Sequence, residues 1–86
     1  MNTLKQKVEE IIGEEESVIL ADGFENAFIG IGRQFGKPIS VYDREKCIHI
    51  LEEEGMSTEE AEEYFSFNTE GAWVGDQTPI FLELTV

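Results

Sequence analysis

No lysine or arginine follows Lys46, yet residues 47–86 carry ten carboxylates. Seven of the ten lie between Glu52 and Glu63: Glu52, Glu53, Glu54, Glu59, Glu60, Glu62 and Glu63. A helix built here has no lysine one turn away to relieve its acids. Glu59 and Glu63 stand four apart and repel each other by roughly 0.2–0.5 kcal/mol. Acids at the start of a helix suit its dipole, but acids at its end oppose it. Helices in this half of the chain must therefore be held by an apolar stripe packed against something else.

The stripes are present. Cys47, Ile48 and Leu51 fall at helical spacing after Asp43, a good N-cap, and predict a helix over Arg44–Glu54 that Gly55 ends. Ser57-Thr58-Glu59-Glu60 has the capping-box pattern, with Ser57 and Glu60 as its reciprocal pair. The helix it starts is expected to bury Ala61, Tyr64 and Phe65 and to end near 68–71. Its outer face presents Glu59, Glu62 and Glu63. Earlier in the chain, Thr3 caps a helix whose Leu4, Val8, Ile11 and Ile12 share a face, with Gly13 as its stop.

Between these helices the period changes. Ser17–Ala21 is short, apolar and β-branched and reads as a buried strand. Ala27–Phe35 is expected as a second strand, with Ala27, Ile29 and Ile31 on one face and Phe28, Gly30 and Gly32 on the other. Gly36-Lys37-Pro38 breaks the pattern as a hairpin turn does, and Ile39–Tyr42 then pairs back. The alternating tail, Pro79–Val86, supplies a fourth strand. Ala72–Gly75 reads as a short strand or a loop. The order α-β-β-β-α-α-β predicts one α+β domain over residues 1–86, an antiparallel sheet of about four strands with helices on one face.

Eighty-six residues with a formal charge of −13 include six Phe, two Tyr and one Trp, enough for a core. One cysteine, Cys47, excludes an internal disulfide and fits a reducing, cytoplasmic setting. No apolar run approaches membrane-spanning length. So negative a surface is repelled by nucleic acid and anionic lipid, so direct binding to either is not expected. Two short positive blocks, 1–8 and 26–46, alternate with the acidic blocks 9–25 and 47–86, which predicts an electrostatically two-sided molecule.

Few residues spell out a chemistry. Cys47-Ile48-His49 lies on the predicted helix, where residues two apart point in different directions, so it is neither a ligand pair nor a nucleophile pair. A structural zinc site needs four ligands, and the chain has one Cys and one His. Cys47 reads as core and His49 as exposed. No calcium-loop spacing occurs. Gly30-Ile31-Gly32 lacks the third glycine and the strand-to-helix setting of a dinucleotide site, and reads as a bare strand face open to close packing. Asp22 and Asp43 each follow a predicted strand. With Glu25 they could form a Mg²⁺ site for a small metal-dependent enzyme or ligand-binding domain, against the simpler roles of turn starter and helix cap. Trp73 lies in a glycine-bounded stretch with Glu70 and Asp76, a core plug if buried and a binding hot spot if exposed.

The stretches VILADGFENAFIGIGRQF (18–35), ISVYDREKCIHIL (39–51) and EEAEEYFSFNTEGAWVGDQTPIF (59–81) resemble a family of small uncharacterised acidic proteins of bacteriophage and bacterial genomes. The resemblance implies a phage or mobile-element setting inside a bacterial host. Small, very acidic proteins in that setting are often inhibitors of host defence, and some mimic DNA in the basic channel of a nuclease or CRISPR effector. The expectation is therefore a non-enzymatic, cofactor-free binding module. Its partner surface would comprise Glu52, Glu53, Glu54, Glu59, Glu60, Glu62, Glu63, Glu70 and Asp76, with Trp73, and would meet a basic patch on a protein.

Overall fold

A computed structural model describes residues 3–85. Helix α1 (Leu4–Ile12) begins at Thr3, whose Oγ1 accepts from the Gln6 amide while the Gln6 side chain accepts from the Thr3 amide. Strands β1 (Phe28–Gln34) and β2 (Lys37–Asp43) form an antiparallel hairpin. Helices α2 (Arg44–Glu53) and α3 (Thr58–Phe65) follow, and α3 runs into a π-turn, Ser66–Glu70. The short β3 (Ile80–Leu82) completes a mixed sheet of order β1-β2-β3. No helix among the described residues is long and apolar enough to cross a membrane.

The α+β class is as expected, but among the described residues the sheet has three strands and is not wholly antiparallel. Val41, Tyr42 and Asp43 pair with Ile80, Phe81 and Leu82 in parallel. The chain leaves β2 through two helices and returns alongside it, and a crossover of that kind produces a parallel pair. The tail strand is shorter than the expected Pro79–Val86, and Val86 lies outside the described residues. Ala72–Gly75 is loop.

Ser17–Ala21 is not a strand. Three of its backbone groups are taken by side chains of β2 and of the loop before β3. The Ala21 amide donates to the Tyr42 hydroxyl at 2.8 Å, and the Ser40 hydroxyl donates to the Ile19 carbonyl at 2.7 Å. The Gln77 side chain donates to the Ser17 carbonyl at 2.6 Å. Ser40 and Tyr42 share one face of β2, so the segment lies across that face instead of joining the ladder.

The same face carries the core. Phe65 is fully buried, edge-on to Phe24 and Phe81 with ring centroids 5.7 and 4.9 Å away. Tyr42 meets Phe28 edge-on at 5.7 Å. Cys47, Ile48 and Leu51 of α2 and Ala61 of α3 close the cluster, so the α2 stripe is buried as expected, and Ala61 and Phe65 of the α3 stripe with it. Tyr64 is a correction: it is 46% exposed, one position off the Ala61–Phe65 stripe. Ile11 is likewise turned out, while Val8 and Ile12 are buried. In β1 a bulge between Phe28 and Gly30 breaks the expected alternation and leaves Ile29 exposed. Neither glycine of Gly30-Ile31-Gly32 receives a ring or a backbone. Gly30 faces open space, and Gly32 has only the Val41 methyl at van der Waals distance.

Candidate interaction surface

Asp43 caps α2 as expected, accepting from the Lys46 amide at 3.3 Å. The helix ends in Glu52, Glu53 and Glu54, with no basic residue in its last turn. Gly55, at φ +107°, makes a reversal that an L side chain resists. Ser57 then starts α3. Its Oγ accepts from the Glu60 amide at 3.2 Å, and the Glu60 carboxylate accepts from the Ser57 amide at 3.0 Å. The bond from the Ser57 amide holds the Glu60 carboxyl below its ordinary range. The two helices thus present one acidic hairpin, whose chain direction reverses between Glu54 and Ser57.

The band is not wholly uncompensated. Arg44, in the first turn of α2, donates through Nε to Glu70 at 2.6 Å and through Nη2 to Glu62 at 2.9 Å. Its side chain is only 16% exposed, and its guanidinium lies 5.5 Å from the centre of the Phe65 ring. The bonds to Glu62 and then to Glu70 raise its pKa, so it is a permanent cation beneath the hairpin. Glu62 and Glu70 are therefore structural partners as well as surface acids. Glu52 accepts from the Thr58 hydroxyl, bridging the two helices. Glu53, Glu54, Glu59 and Glu63 are all exposed and form no side-chain hydrogen bond or ion pair among the described residues.

The remaining nominated residues lie elsewhere. Trp73 is 75% exposed and shares a depression with Phe35, Ile39, Asp76 and Ile80, which none of the hairpin glutamates lines. Asp76 pairs with Lys37 at 3.6 Å. The expected surface thus divides into an acidic helical face and an aromatic patch at the hairpin end of the sheet. Phe35, 93% exposed, belongs to that patch and was not foreseen. Nor was Phe67, 86% exposed beside Tyr64. The signal for Phe67 was in the sequence: it stands two residues after Phe65, and two apolar residues so spaced cannot share a helical stripe.

Three cations of the 26–46 block have acidic partners in the same chain, Arg33 with Glu16, Lys37 with Asp76, and Arg44 with Glu62 and Glu70, which offsets the positive side expected there. Asp22, Glu25 and Asp43 take the local roles. Glu25 accepts from the Gly23 amide at 3.3 Å, Asp43 is the helix cap, and Asp22 is exposed in the turn. Among the described residues no three His, Cys, Asp or Glu side chains are grouped to hold a metal ion. Cys47 is buried, and burial pushes its thiol up to about 12, the reverse of an activated nucleophile. His49 is exposed.

No protein-family model, curated protein or solved structure matches the chain significantly.

Proposed function

We propose that the α2–α3 hairpin is a docking surface for a basic patch on a partner protein, and that the chain is a non-enzymatic binding module. The observation carrying this reading is the placement of Glu53 and Glu54. They are exposed, unpaired, and at a helix C-terminus, where each negative charge opposes the dipole by about 0.3–1 kcal/mol. Nothing in the fold uses them. Glu59 and Glu63 extend the same free charge onto the next helix. A surface of this kind meets cations on arrival, giving fast and salt-sensitive association.

In its most concrete form the carboxylates stand in for phosphates on a nucleic-acid-binding effector, and the chain is a phage-encoded inhibitor of host defence, in the manner of an anti-CRISPR protein. The phage setting comes from the sequence resemblance, and the mimicry from the charge.

The test is capture from a bacterial lysate on the immobilised chain, against a variant with Glu53, Glu54, Glu59 and Glu63 all replaced by Gln. The expected result is a protein retained by the native chain, eluted by moderate salt, and lost from the variant. Equal retention with the same salt dependence would refute the reading.

A further inference from the structure

The π-turn after α3 does something the charge alone does not. A π-turn widens the helix by one residue and is seldom retained without a local reason. Here Phe67 falls inside it, 86% exposed, and Asn68 is held by a bond from its Nδ2 to the Tyr64 carbonyl at 3.1 Å. Phe67, Tyr64 and Met56 supply the apolar part of an open groove of about 500 Å³, which Glu60, Glu63 and Asn68 also line. Among the described residues no cation lines this groove. Its polar side-chain capacity is mainly acceptor, from two carboxylates and the Asn68 oxygen, against the Tyr64 hydroxyl and the one Asn68 N–H that the Tyr64 carbonyl does not take.

A groove with an aromatic wall and an acidic wall is selective in a way that a charged plane is not. Inorganic cations and plain lysine tracts satisfy the carboxylates and leave the rings in water. A purely apolar partner covers the rings and strips the carboxylates of water without giving them a donor, which is costly. Only a chain that alternates apolar side chains with lysine or arginine satisfies both walls. The other exposed aromatic patch, Phe35 with Trp73, makes no such demand, because its Asp76 is already paired with Lys37.

We propose that the Met56–Tyr64–Phe67 groove binds a basic amphipathic segment of the partner protein. Its apolar side chains anchor on Phe67 and Tyr64, and its cations sit on Glu63 and Glu60. This rests on the reading of the hairpin as an acidic docking face, and adds that affinity there comes from an apolar anchor as well as from charge.

Two synthetic peptides of equal charge provide the test: an amphipathic leucine–lysine peptide, and its counterpart with every leucine replaced by glutamine. Binding is followed by titration and by amide shifts across residues 56–68. The leucine peptide is expected to bind at least about tenfold tighter than the glutamine peptide and to keep measurable affinity at high salt. Phe67→Ser should abolish that advantage and leave the glutamine peptide's affinity unchanged. Phe35→Ser, removing an equally exposed ring elsewhere, should change neither. Equal binding of the two peptides, or an advantage that survives Phe67→Ser, overturns the groove while the acidic face stands. Failure of both peptides to shift the α2–α3 amides overturns both.

Discussion

The hairpin end of the sheet and the outer face of the two helices treat charge in opposite ways. At the sheet end Arg33 makes two hydrogen bonds to Glu16, at 3.0 and 3.2 Å, and Lys37 reaches Asp76. On the helical face Glu53, Glu54, Glu59 and Glu63 have no such partner. Arg44 marks the boundary, anchored over Phe65 and tying down Glu62 and Glu70 but nothing beyond them. Charge that belongs to the fold is met internally. Charge left unmet in an unfavourable position is available to something outside. The aromatics follow a related division, since Phe35 sits beside paired charge and Phe67 beside unpaired charge.

Both faces hang on one aromatic core, so the largest effect should come from there. Phe65→Ala removes a fully buried ring that touches Phe24, Phe81 and Arg44, and should destabilise the fold by about 3–5 kcal/mol in urea denaturation. A loss below about 1 kcal/mol would mean that the helices are not held as described.

The next effect is on pH. Burial raises the Cys47 thiol to about 12, and burial also raises the Tyr42 hydroxyl. The folded chain keeps these protons where the unfolded chain releases them. Stability from this source is therefore intact below about pH 9 and falls as pH rises toward 12. Denaturation midpoints across that range should decline, and Cys47 should resist thiol reagents in the native state. Rapid labelling at neutral pH would contradict its placement.

Two arginines separate the helical face from the sheet end. Arg44→Ala leaves Glu62 and Glu70 without their cation and removes packing on Phe65. Because those acids are partly exposed, the expected loss is about 1–2 kcal/mol. Arg33→Ala breaks an exposed, solvent-screened pair and should leave the urea midpoint nearly unmoved. Equal losses in urea would erase the distinction between a cation that organises the helices and one that decorates the sheet.

A smaller effect lies at the hairpin tip. Phe35 and Gly36 both have positive φ, +53° and +77°, as a two-residue type I′ turn requires. Asparagine suits the first of these positions far better than phenylalanine, and this ring is almost wholly in solvent. Phe35→Asn should stabilise the fold by about 1 kcal/mol, read as a higher urea midpoint. A loss of stability would show that the Phe35 ring packs in the fold.

What the sequence made legible was local. Thr3, Asp43 and Ser57 start their helices because a cap acts within three residues, and the Cys47–Leu51 and Ala61–Phe65 stripes needed only helical spacing. What it hid was contact between distant segments. Ser17–Ala21 had a strand's composition, yet Tyr42, Ser40 and Gln77 claimed its backbone first. Arg44 belongs by sequence to a basic block, but its partners lie 18 and 26 residues onward, at distances no spacing rule covers. The hairpin turns at Phe35-Gly36, starting one residue before the glycine that signals it, and Phe35 hides that start because it is a poor turn former. Pro38 instead lies within β2, in the part that has no β3 alongside it. The acid band was legible by composition alone. Its division into tied and free carboxylates was not.

Whether Glu53 and Glu54 are surplus to the fold is read from urea denaturation of a Glu53→Lys, Glu54→Lys chain at low ionic strength. A gain of about 0.5–1.5 kcal/mol is expected, because two charges opposing the α2 dipole become favourable and relieve the neighbouring glutamates. A loss of stability comparable to that of Arg44→Ala would contradict it, since those carboxylates would then be holding the fold together.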